Sequence, residues 1–117
     1  MRPFHTMILM LLAATGCSQR GHYDVQNRTD STVNDVTVVI GKEHRFPHGI
    51  LGRGSGKGYS GPISGRGGLP VEISWRAASG QLLTNRTTVH QRYFRVEDNV
   101  HFVIVSTGVV TRIQNVR

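Results

Sequence analysis

The chain predicts an all-β domain, an antiparallel β-sandwich of about eight short strands set behind a distinct N-terminal segment. Three observations carry this. After residue 17 no stretch sustains the i, i+3, i+4 apolar spacing of an amphipathic helix. Short runs rich in valine, isoleucine and threonine alternate with clusters of glycine, asparagine, aspartate and serine. These breaks recur at the roughly 8–12-residue interval of sandwich and barrel strands.

Taken in order, the first strand spans His22 to Asn27 around Tyr23 and Val25, and Asn27 to Ser31 makes a polar turn. Val33 to Ile40 places Val36, Val38 and Ile40 on one face. Gly41-Lys42 reverses the chain into Glu43 to Phe46, and Pro47 marks an edge because it cannot donate to a ladder. Gly49 to Gly68 is the least regular stretch, holding nine of the fourteen glycines, with a brief strand over Lys57 to Ser60. Val71 to Arg76 alternates cleanly: Val71, Ile73 and Trp75 point inward, Glu72, Ser74 and Arg76 outward. A turn at Ala78 to Gln81 leads into Leu82 to His90, and Glu97-Asp98-Asn99 turns the chain into Val100 to Ser106. Thr107-Gly108 reverses it into a last strand, Val109 to Val116. Trp75 is expected between the two sheets, where so large a side chain dominates burial. With Ile73-Ser74-Trp75-Arg76 before a glycine-containing hairpin, the mature part loosely resembles small immunoglobulin-like and fibronectin-type domains of bacterial surfaces. That resemblance implies a fold and no function.

The N-terminus has a different logic. Arg2 supplies positive charge, Met7 to Ala14 form an apolar run, and Ala14-Thr15-Gly16 place small residues before Cys17. This is the layout of a secretory signal, and the run is far shorter than the roughly 20 residues of a membrane-spanning helix. Leu12-Ala13-Ala14-Thr15-Gly16-Cys17 resembles the lipobox of bacterial lipoproteins, with Ala14 standing where that family usually has leucine. The resemblance implies cleavage before Cys17 and lipid on its thiol. Residues 1–16 are then signal, 17–21 a lipidated tether and 22–117 the sandwich domain. Two acyl chains bind a membrane stably where one is marginal. Ser18 after the cysteine implies, by the enterobacterial sorting pattern, the outer membrane. A single cysteine also excludes an internal disulfide.

Without Arg2, thirteen lysines and arginines face seven acids, a net charge of +6. Such a surface attracts acidic glycan, anionic lipid or an acidic protein. Nucleic acid is not an expected partner of an exported chain. Gly52 to Gly58 reads Gly-Arg-Gly-Ser-Gly-Lys-Gly, which misses the phosphate-loop spacing: its first glycine would fall at Leu51, and Gly58 stands where serine or threonine is required. The loop with Arg53, Lys57 and Arg66 is instead a candidate anion site through backbone N–H groups. His44 and His48 lie four apart on a strand, about 13 Å, so they share a metal only if Pro47 bends the chain. No cofactor, metal or catalytic site is expected. Asn27-Arg28-Thr29 and Asn85-Arg86-Thr87 match a glycosylation pattern, which we set aside as chance. Arg86, His90, Arg92, Tyr93 and Arg95 mix arginine with tyrosine, as protein interfaces do. The sequence therefore predicts a non-catalytic, lipid-anchored envelope domain that binds another envelope component, most simply a protein. An arginine-rich anion-binding module is the alternative, and a small metalloprotein or hydrolase a distant third.

Overall fold

The computed structural model describes residues 20–114. The lipobox-like segment read from the sequence, with Cys17 and Ser18, lies outside them.

Among the described residues eight strands form: β1 (Arg20–Asn27), β2 (Val33–Ile40), β3 (His44–Leu51), β4 (Gly56–Pro62), β5 (Gly68–Arg76), β6 (Leu82–His90), β7 (Val100–Val105) and β8 (Gly108–Ile113). Four sit in a sheet of order β4-β1-β7-β8 and four in a sheet of order β3-β2-β5-β6. The two sheets close a sandwich over a core that includes Val25, Val36, Val38, Ile40, Ile73, Phe94, Phe102 and Ile104, all at most 1% exposed. Trp75, 3% exposed, lies in that core as its alternation with Glu72, Ser74 and Arg76 requires.

The pairing departs from an all-antiparallel pattern at one place. β1 runs parallel to β7, with Asp24 beside His101 and Val25 beside Phe102. Alternation reports which face a side chain takes, and it is silent on the direction of the neighbour. β3 runs on past Pro47 to Leu51, and β4 extends the brief strand expected within the glycine-rich stretch to seven residues. Both are edges, where proline and glycine are tolerated. A one-turn helix, α1 (Gln91–Phe94), links β6 to β7. The His90 ring Nδ1 accepts from the Arg92 N–H and caps it, while Phe94 enters the core.

The two flanks of the sandwich close by different chemistry. Between β6 and β8 the Asn85 side-chain oxygen accepts from the Val109 N–H at 2.7 Å. Between β3 and β4 the rings of Phe46 and Tyr59 pack at 4.1 Å, and Lys57 Nζ donates to the His48 carbonyl. At one pole Asn27, fully buried, satisfies all its side-chain atoms: its nitrogen donates to the Ser31 and Leu51 carbonyls, and its oxygen accepts from the Thr29 N–H and hydroxyl. An amide so bound has no free nitrogen for a glycan.

The poles differ too. One gathers Arg20 at the start of β1, segment 63–67, α1 and loop 95–99. The other gathers the turns at 28–32, 52–55 and 77–81.

Candidate functional site

Alternation along β1 sends His22, Asp24 and Gln26 to the outer face of the first sheet, away from the core. β4 brings Gly58 and Ser60 alongside them, and β7 brings His101. Glycine at 58 leaves that part of the face without a side chain. The result is a cleft of about 370 Å³ lined by His22, Tyr23, Asp24, Gly58, Tyr59, Ser60, Glu97, Asp98 and Val100. In a chain of strongly positive charge, three of the seven carboxylates, Asp24, Glu97 and Asp98, meet here.

His101 stands beside the cleft with a partner at each ring nitrogen. Its Nδ1 lies 2.8 Å from Asp24 Oδ1 and its Nε2 lies 3.1 Å from the Asp98 carbonyl oxygen. The Asp98 carboxylate stands 3.9 Å from the same Nε2. Arg112 is its register partner on β8. Burial alone would depress the His101 pKa, but the Asp24 hydrogen bond and charge, with the Asp98 carbonyl and carboxylate, outweigh it and hold the pKa above the ordinary value. Asp98 adopts φ of +60°, a left-handed backbone that aspartate tolerates better than most residues. Nearby, the Ser60 hydroxyl and His22 Nδ1 pair at 2.8 Å. Ser60 sits within β4, not on the strand-to-helix turn that raises a hydrolase serine.

The residues singled out from sequence fare differently. Arg53 lies in the turn before β4 and Arg66 in the segment after it, with Lys57 near the start of the strand. Seven strand residues separate the two arginines by about 20 Å at roughly 3.3 Å each. The three cations therefore do not converge on one anion, and Lys57 is already bound to the His48 carbonyl. Arg86 pairs with Glu72 at 2.8 Å on the outer face of the second sheet. His90 caps α1, and the Arg92 guanidinium stacks 4.9 Å from the Tyr93 ring. Arg95 is a strut: it donates to the Arg20 and Ile63 carbonyls and to Gln91. His44 and His48 hold separate partners, Ser64 and Tyr23, so Pro47 does not bring them to a common ligand.

No protein-family model matches the chain, and no curated protein matches it either. A solved structure does align with it: the NMR structure of a protein from Eubacterium rectale, covering 86% of this chain and 93% of that one, with a TM-score of 0.59 and 14% identity. At that identity the likeness establishes the fold alone.

His101 stands next to core-facing Phe102 on β7, so alternation puts it on the outer face. It is nevertheless only 7% exposed, with Asp98 of loop 95–99 against its Nε2. Nothing in the sequence links it to Asp24, 77 residues earlier. Only the parallel register of β1 and β7 makes them neighbours.

Proposed function

We propose that the chain is a lipid-anchored, non-catalytic cell-envelope domain, cleaved before Cys17, that holds a protein partner at the pole facing away from the membrane. The observation that carries this is the shortness of the link. β1 begins at Arg20, three residues after Cys17, and Arg95 clamps the Arg20 carbonyl to the Ile63 carbonyl. Three residues span at most about 10 Å. The pole with Arg20, Arg66, Arg92 and Tyr93 then sits against the headgroups, where arginine meets anionic lipid and tyrosine suits the interface. The alternative of anion binding keeps a place in this reading as headgroup contact, carried by that pole with Arg66 and not by Arg53 and Lys57.

The far pole offers a groove of about 230 Å³, apolar at Val33, Trp75, Ala77, Leu83 and Val105, with a rim of Thr29, Asp30 and Ser79. An apolar floor with a polar rim suits a buried apolar side chain of a partner protein. A photo-crosslinker at Ser79 in intact cells, with mass spectrometry after a high-salt wash, should recover one protein reproducibly, and a crosslinker at Arg92 should recover lipid. Recovery of only salt-sensitive acidic polymer from both poles would overturn the protein-binding reading. Anchoring has its own test, because Cys17→Ala should abolish lipid attachment and leave the precursor uncut. Outer-membrane residence, read from Ser18, is checked by fractionation.

A further inference from the structure

We propose that Asp24, Asp98 and His101 bind a divalent transition-metal ion of the zinc class at the wall of the outer-face cleft, a site separate from the partner-binding pole.

The donor set is mixed, two carboxylates and an imidazole: one atom from each lies within 4.8 Å of the others, with Asp24 at Nδ1 and the Asp98 carboxylate nearer the Nε2 side of the ring, 3.9 Å from that nitrogen. Zinc and its neighbours accept both ligand types. The orientation of the ring is more telling. The Asp98 main-chain carbonyl can only accept, so Nε2 carries the hydrogen facing it. Donation of one ring N–H to a carbonyl is how ligating histidines are held with the other nitrogen free for metal. Here the other nitrogen, Nδ1, faces Asp24 Oδ1 at 2.8 Å. Two such acceptors so close need a cation between them, a proton or a metal ion. With bonds of about 2.0–2.1 Å, that separation subtends roughly a right angle at a metal, as for neighbouring ligands of a five- or six-coordinate ion.

Charge points the same way. Asp24, Glu97 and Asp98 crowd one cleft of a basic chain and outnumber Arg112, the cation across from His101 on β8. A dication would neutralise the carboxylates more fully than the single proton His101 can carry. The cleft, lined also by His22 and Glu97, provides an entry path.

The test uses the full chain carrying Cys17→Ala, so that no thiol competes, stripped with chelator and titrated with Zn²⁺ and with Co²⁺ as a visible probe. One equivalent should bind, with cobalt absorption free of thiolate bands. His101→Gln should abolish it, and Asp24→Asn and Asp98→Asn should each weaken it at least about tenfold. Asp98 is exposed and asparagine accepts the same backbone, so Asp98→Asn keeps the test open if His101→Gln fails to fold. Affinity should rise with pH, because the ion must displace the His101 proton. A His44→Gln, His48→Gln double variant should bind as before. Absence of one-equivalent binding overturns the site. So does binding unchanged in Asp98→Asn and Asp24→Asn, or lost in the His44, His48 double variant.

Discussion

His101 and His48 each reach a side chain of β1, and the two side chains they reach are consecutive. Asp24 points to the outer face of its sheet and meets His101; Tyr23 points to the core and meets His48 through a 2.6 Å contact at the β3–β4 flank. Both rings are largely covered, yet their neighbours drive them in opposite directions. Around His101 every contact is an acceptor, and the ring keeps its proton into higher pH. Around His48, burial and then the Lys57 charge push the pKa down. Tyr23 is also held protonated well above its usual range, by burial first and then by Tyr59, so its hydroxyl donates to a neutral His48. Burial is common to the two sites and cannot explain the difference. The charge of the second neighbour decides it.

Removing the element both sites lean on has the largest expected effect. Phe102, fully buried, follows His101 on β7 and packs 5.6 Å from the Tyr23 ring. Phe102→Ala should cost about 3–5 kcal/mol in urea unfolding and disturb both histidines' NMR signals. An effect confined to one histidine would show that the sites are not mechanically joined.

Next comes the acidic side. In metal-free buffer at pH 5.5, Asp24→Asn should lose about 2 kcal/mol, the scale of a hydrogen bond to a charged group. The His101 pKa is raised on folding, so its contribution is complete below the unfolded value of about 6.5. It is lost as pH climbs through the folded value. The penalty of Asp24→Asn should therefore shrink at pH 9, and a penalty constant with pH would break the assignment.

Tyr23→Phe should cost about 1 kcal/mol for one neutral hydrogen bond, near pH 8. At His48 the sign reverses. Its folded pKa is lowered, so its contribution is present above about pH 6.5 and fades as pH falls through the folded value. The smallest effect belongs to Lys57→Met, which should move the His48 titration upward by NMR and leave His101 untouched. Movement of both would mean that the two sites share one field.

Much of the fold was legible because burial has a period. Val71, Ile73 and Trp75 could only be one inward face, and β2 and β6 begin and end where the sequence places them. β3 outran its expected end because Pro47 removes a donor without forbidding extended backbone at an edge. β1 began two residues early, since Arg20 and Gly21 carry no apolar signal and pair with Pro62 and Gly61 by backbone alone. The helix α1 was missed because four residues give no period to read. The cleft was illegible for another reason. Its members come from β1, β4, β7 and loop 95–99, and a single sequence fixes faces without fixing neighbours. The interface group of Arg86, His90, Arg92, Tyr93 and Arg95 was gathered by proximity in sequence, which the strand end at His90 divides between a sheet face and a pole.

The place of β1 in its sheet also sets an order of events. Three ladders, β2–β3, β5–β6 and β7–β8, join strands next to each other in the chain and can zip locally. β1 has no such neighbour. It must wait for β4 and then for β7, whose His101 is synthesised 77 residues after Asp24, and ladders of such long sequence separation form slowly. Pulsed hydrogen exchange during refolding should find β1 amides protected after those of the three hairpins. The strand that is synthesised first is the one that folds last.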